Sequence, residues 1–153
     1  MSMKAEELTM TESSSIQQMF KQVEAAGVPF LTGDAAPIIA LGSQADDVTI
    51  FGGSGTYAQG WHAVKSRLEW AAAHFRGGRG TLEPLAMGES GELAYTIYNE
   101  RGEMQVEGSE ELRPFALRIT QIYRLEDDDW KIIHRHADPI MQSTEPAWFK
   151  QRP

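Results

Sequence analysis

The chain has 153 residues and a net charge of −8, with 14 lysines and arginines against 22 aspartates and glutamates. This length suits one domain, and an acidic chain without a basic cluster argues against a nucleic acid partner. Because cysteine is absent, disulfides, thiol nucleophiles and cysteine metal sites are excluded. No apolar run is long enough to span a membrane or to form a signal peptide, so we expect a cytoplasmic protein without a membrane partner.

Two helices are predicted near the start of the chain. Residues 1–11 are polar and are predicted to form a flexible leader. Apolar residues then recur with helical spacing and predict a first helix over about 12–26, which Gly27 and the following Pro29 are predicted to end. Asp34 is placed to cap a short second helix.

A strand, a turn and a third helix follow. Val48–Phe51 is rich in β-branched and aromatic residues and predicts a strand, and the glycines at 52, 53 and 55 predict a turn. Trp61–Phe75 carries one apolar face over about four turns and predicts a helix. Gly77 and Gly78 are predicted to end this helix and to lie in a turn with Gly80, since they do not match a phosphate-binding loop.

The rest of the chain has the alternating pattern of strands. The predicted strands are Leu82–Met87, Leu93–Glu100, Phe115–Leu125 and Trp130–His136. Helices followed by a run of antiparallel strands predict an α+β domain. We expect a single domain over 12–142, followed by a C-terminal tail at 143–153.

The strand at 115–125 shows which of its sides faces the core. Alternate residues starting at Phe115 are apolar except for Gln121 and Tyr123, whereas the opposite side carries two arginines. The first side is therefore expected to face the core. Because a buried polar group needs a partner, Gln121 and Tyr123 predict a cavity that holds a ligand or water.

The last strand places His134, His136 and Asp138 two residues apart, so that they share one face. The histidines could bind a cation, but nothing in the spacing demands a third ligand, and we expect neither a metal nor a cofactor. Asp138 and His136 could instead form a general base and are the catalytic candidates. The alternative is that the histidines lie in an interface or core, and that Asp138, which precedes Pro139, caps a turn.

Four motifs resemble a known superfamily. They are QADDVTIFG at 44–52, GWHAV at 60–64, LRITQIYR at 117–124 and WKIIHRHADP at 130–139. They resemble the SnoaL-like branch of the nuclear transport factor 2-like superfamily, which includes ketosteroid isomerase, polyketide cyclases and the association domain of calcium/calmodulin-dependent kinase. The resemblance implies a cystatin-like cone, with N-terminal helices packed on a curved antiparallel sheet around an internal cavity. It also implies association through the outer face of the sheet.

The resemblance does not extend to the functional residues of two of these relatives. It places the general-base aspartate of ketosteroid isomerase at Gly52 and its proton-donating acid at Gln121, and the first tyrosine of this chain is Tyr57. Steroid isomerisation needs a base and acids, so it is not expected here. The pocket arginines of the kinase association domain fall at Gln121 and Ala137, so its anionic pocket is not expected either.

The resemblance also implies that Arg135 faces the cavity beside Gln121 and Tyr123. Trp61 then begins the helix that roofs the cavity, and Tyr57 lies near its mouth. These five residues are the ligand-binding candidates. A guanidinium facing a cavity needs an anion beside it. The anion could be a substrate carboxylate, or one of Glu69, Glu83 and Glu100.

Two functions stay open. In one, the cavity binds a small, largely apolar ligand and the protein is an isomerase, cyclase or hydrolase. In the other, the protein is a non-catalytic ligand-binding or dimeric assembly module. In either case we expect a homodimer through the outer sheet face, which carries Arg118, Thr120, His134 and His136.

Overall fold

A computed structural model describes residues 15–141, so the predicted leader and the tail at 143–153 lie outside the described residues. The helices are α1 (Ser15–Phe30), α2 (Ala36–Ala40) and α3 (Trp61–Ala72). The strands are β1 (Thr49–Phe51), β2 (Tyr57–Gln59), β3 (Phe75–Ser90), β4 (Leu93–Val106), β5 (Leu112–Glu126) and β6 (Asp129–Pro139). No helix in this part of the chain is long and apolar enough to cross a membrane.

The strands form one sheet in the order β2-β1-β6-β5-β4-β3. Every neighbouring pair is antiparallel except β1 and β6, which run parallel. Bulges interrupt the ladders in β3 and between Ile122 and Tyr123, and bulges of this kind bend a sheet. The helices pack on the concave face, which confirms the predicted α+β cone.

The core lies between α1 and the inner face of the sheet. Ile119, Gln121 and Tyr123 of β5 are buried, as the alternation predicts. The apolar stripe of α1 covers them, and the ring of Phe20 meets the ring of Tyr98 edge to face at 5.1 Å. This packing fixes which side chains of β4, β5 and β6 can face a cavity.

The predicted end of the first helix is wrong, because α1 continues through Gly27 and Pro29 to Phe30. A proline removes one amide donor, but in the last turn of a helix only one carbonyl loses its partner and no later turn depends on it. The carbonyl of Pro29 accepts hydrogen bonds from the amides of Thr32 and Asp34 at 3.0 and 2.9 Å, which end the helix. The extra turn carries α1 over the cavity.

The glycines after the third helix are strand residues and not a turn. α3 ends at Ala72, and Gly78 pairs with Met104 inside β3. A Cβ atom at Gly78 would collide with the carbonyl oxygen of Glu103, and one at Gly102 with that of Arg79. Glycine at these positions permits two backbones to approach closely. In a sequence, glycines present for this reason look the same as glycines of a turn.

Candidate functional site

A cavity of about 510 Å³ lies between α1, α3 and the inner face of the sheet. Most of its wall is apolar, including Leu68, Leu82 and Phe115. The charged, imidazole and amide side chains in the wall are Glu24, Arg67, His74, Glu100, Gln121 and Arg135. An apolar pocket of this size with a few polar groups suits a small organic molecule.

Gln121 is a fully buried polar residue of the wall. Its Oε1 accepts a hydrogen bond from the Tyr123 hydroxyl at 2.6 Å, and that hydroxyl lies 2.8 Å from Thr96 Oγ1, which must therefore be the donor. Gln121 Nε2 has no hydrogen-bond partner within residues 15–141. The buried chain of hydrogen bonds thus holds the amide with its N–H donors unpaired.

Arg135 and Glu100 form an ion pair across the cavity wall. Arg135 pairs with Gln121 of β5, and Glu100 pairs with Leu117 of the same strand. Gln121 and Leu117 are four residues apart, which is about 13 Å along a strand. The long side chain of Arg135 crosses β5 and brings Nη2 to 3.9 Å from Glu100 Oε2. The two side chains are only 25% and 17% exposed. This distance is longer than that of a hydrogen bond, so both side chains can interact with a further group.

Burial dominates the electrostatics of this region. It raises the pKa of Glu100 above its ordinary value, and the nearby charge of Arg135 offsets part of that rise. Burial also raises the pKa of Tyr98, two residues before Glu100 on the same face, to about 12. Tyr98 therefore stays neutral near pH 7, while Glu100 becomes a stronger base than an ordinary glutamate.

The mouth of the cavity is formed by α3 and the turn between β1 and β2. The guanidinium of Arg67 lies over the ring of Trp70, 4.3 Å from its centroid, and Arg67 Nη2 donates to Ser54 Oγ at 3.1 Å. Trp70 is 53% exposed. His74 Nδ1 lies 2.7 Å from the carbonyl oxygen of Trp70, so this nitrogen carries a proton.

The sequence profile of the SnoaL-like domain matches residues 13–142. The chain belongs to the SnoaL-like domain family. No protein of curated function matches it in sequence. The match agrees with the cone and its cavity.

Solved structures agree with this assignment. A nuclear transport factor 2-like superfamily protein from Salmonella enterica is similar with a TM-score of 0.75 and 14% identity, over 91% of this chain and 99% of that one. A candidate dehydratase of the same superfamily from Streptomyces avermitilis gives 0.72 and 18%, over 87% and 99%. A candidate scytalone dehydratase from Novosphingobium aromaticivorans gives 0.70 and 16%, over 87% of each chain. At these identities the similarity shows the fold alone.

The SnoaL-like domain brings some of the ligand-binding candidates together and separates others. Gln121 and Arg135 line the large cavity, and with Trp61 they also line a neighbouring cavity of about 50 Å³. Tyr123 is fully buried and supports Gln121 from behind. Tyr57 is 75% exposed and lines neither cavity, because it lies on the edge strand β2.

The catalytic candidates His136 and Asp138 lie on the outer face of the sheet and do not reach the cavity. Arg118 donates to both Asp138 carboxylate oxygens at 2.7 and 2.8 Å. These hydrogen bonds hold the pKa of Asp138 below its ordinary value, which makes it a weak base. His134, on the same face, lies 2.7 Å from Thr49 Oγ1 through Nδ1.

Among the described residues, no three histidine or carboxylate side chains are placed to hold a metal ion.

Sequence reasoning did not identify Tyr98 and Glu100 as site residues, although Glu100 was one expected partner of Arg135. They lie on the inner face of β4 with Ala94 and Thr96. The opposite face carries the larger apolar residues, namely Leu93, Tyr95 and Ile97. Alternation alone would therefore have assigned the wrong face to the core. The register of β4 against β5 near Gln121 places these residues in the site, and the sequence does not reveal that register.

Proposed function

We propose that this SnoaL-like domain binds a small, largely apolar molecule through an oxygen atom and catalyses proton transfer on it. The proposal rests on Gln121, which lines the 510 Å³ cavity and has a buried Nε2 without a hydrogen-bond partner among the described residues. A buried donor without a partner costs about 1–3 kcal/mol, and a carbonyl or hydroxyl oxygen of a ligand would remove that cost. The apolar wall would bury the rest of the molecule.

Glu100 supports the catalytic part of the proposal. Its carboxylate would take a proton from a carbon next to a carbonyl group, while N–H donors of Arg135 hold the resulting oxyanion. Return of the same proton to another carbon is an isomerisation, and its transfer to a departing hydroxide is a dehydration that releases water. Two of the similar structures are candidate dehydratases, which favours this class of chemistry.

The binding proposal is tested with Prodan, an uncharged fluorescent naphthyl ketone. In Gln121→Leu we expect its affinity to fall about 3- to 10-fold, the equivalent of one hydrogen bond. Thr96→Val is the matched control, because Thr96 belongs to the same hydrogen-bond chain but does not line the cavity. Equal binding by wild type and Gln121→Leu would show that the amide has another partner, such as a water in the 50 Å³ cavity.

A second candidate function is that of a dimeric assembly module. Leu93, Tyr95 and Ile97 expose 52%, 44% and 38% of their surface side by side on the outer face of β4. Apolar clusters of this kind mark association surfaces. We propose a homodimer through this face. Sedimentation at micromolar concentration should show a dimer that Tyr95→Glu dissociates, and a monomeric wild type would contradict it.

A further inference from the structure

We infer that the mouth of the cavity contains a separate anion-binding site centred on Arg67, so that the ligand is an organic acid with an apolar body. The inference rests on the proposed function, because it concerns the outer end of the molecule that the cavity holds. The inner end would contact Gln121, and the acidic group would remain at the entrance.

The first reason is that Arg67 has no carboxylate partner among the residues that the structure describes. Six other arginines each lie within 4.0 Å of an acidic side chain, namely Arg76, Arg79, Arg101, Arg118, Arg124 and Arg135. Arg113 also has no ion pair in the described part of the chain, but it is exposed and lies outside the cavity wall. Within 15–141, the guanidinium of Arg67 stacks on the Trp70 ring and donates one hydrogen bond to Ser54 Oγ, and it forms no ion pair. A guanidinium has five N–H donors, so most of those of Arg67 are available to a ligand.

The second reason is that Arg67 is already held in position. The stacking on Trp70 and the hydrogen bond to Ser54 restrict the guanidinium, which lowers the entropy lost when an anion binds. Gly52 lies beside it, and a Cβ atom there would come within 3.7 Å of Arg67 Nη2. The absence of side chains at Gly52 and Gly53 keeps this side of the entrance open.

The third reason is the balance of charge in the cavity wall. Arg135 is offset by Glu100, and His74 Nε2 lies 3.6 Å from Glu107 Oε1. Glu24 also lines the cavity and is exposed on α1, where water screens it. Because the chain carries a net charge of −8, an acid needs a local cation to enter, and Arg67 supplies one.

The test compares two fluorescent probes with the same anilinonaphthalene body. One is 8-anilinonaphthalene-1-sulfonate, which is anionic, and the other is N-phenyl-1-naphthylamine, which is uncharged. In Arg67→Gln we expect the affinity for the sulfonate to fall about 10-fold and that for the neutral probe to change less than about 2-fold, as for loss of one charged hydrogen bond. Arg67→Lys should restore part of the loss. Arg76→Gln, which removes an arginine outside the cavity, should change neither affinity.

Ala71→Phe identifies where the probes bind, because Ala71 lies on α3 in the cavity wall and a larger side chain would occupy the space. Both probes should bind this variant more weakly. If the neutral probe binds wild type in the cavity but Arg67→Gln leaves sulfonate binding unchanged, the anion site is refuted and the cavity proposal stands. If neither probe binds wild type, or Ala71→Phe affects neither, the proposed ligand binding itself is refuted.

Discussion

Replacing Arg135 with methionine should destabilise the protein by an amount that grows as pH rises. The pair at 3.9 Å has a Coulomb energy of about 4 kcal/mol at an effective dielectric constant of about 20. Desolvation of Arg135 cancels part of this energy, and both side chains keep some contact with water. We therefore expect a net loss of about 2 kcal/mol in the free energy of unfolding at pH 8.

The pH dependence follows from Glu100. Its pKa in the folded protein is raised, so the stability that its neutral form provides is present below the unfolded pKa and is lost as pH rises through the folded pKa. Removal of Arg135 raises the folded pKa further. At pH 5 more of the buried carboxyl is protonated, and the loss in Arg135→Met should fall below about 1 kcal/mol.

Urea unfolding of four proteins measures this effect. They are wild type, Arg135→Met, Glu100→Gln and the double variant, each at pH 5 and pH 8. In the double variant the penalty for a buried, unpaired carboxylate is absent, so it should be more stable at pH 8 than Arg135→Met. An equal loss at both pH values, or additive losses in the double variant, would refute the coupling between the two side chains.

Two further predictions concern positions outside the cavity pair. Gly27→Ala should stabilise the protein by about 0.5–1 kcal/mol, since Gly27 lies inside α1 with nothing within 4 Å of an added Cβ. Gly102→Ala should destabilise it by more than about 2 kcal/mol, because its Cβ would collide with the carbonyl of Arg79. Thermal unfolding distinguishes these outcomes, and similar losses in both variants would contradict the explanation. Burial and the nearby His136 lower the pKa of His134, so stability should fall as pH drops from the unfolded value of about 6.5 towards the folded one, and His134→Gln should flatten this part of the pH profile.

The sequence predicted the inner face of β5 because its pattern was strongly asymmetric. Ile119, Gln121 and Tyr123 are indeed buried on that face. The face of β6 that lines the cavity was inferred from the resemblance. Alternation could not identify that face, because Ile132 and Ile133 are both apolar and lie on opposite faces. The bulge between Ile122 and Tyr123 changes the register there, and a bulge has no distinctive sequence pattern.

The polar residues of the site were harder to predict for a different reason. Glu100 belongs to a face of β4 that is less apolar than the opposite face, which is exposed. Arg67 lies on a helix whose apolar face indicated core packing, and the role that we propose for it rests on its contacts with Trp70 and Ser54. The register of β4 on β5 and the contact of Arg67 with Ser54 join segments that are separate in the sequence, and local periodicity contains no information on them.

The parallel pairing of β1 with β6 has a consequence for synthesis on the ribosome. Thr49 pairs with His134, and β6 separates β1 from β5, so the edge hairpin has no strand to join until residues 129–139 have emerged. At roughly 5–20 residues per second, β1 must wait about 4–18 s after it is made. During that time its open edge is available to other chains, and the short length of β1 limits such pairing.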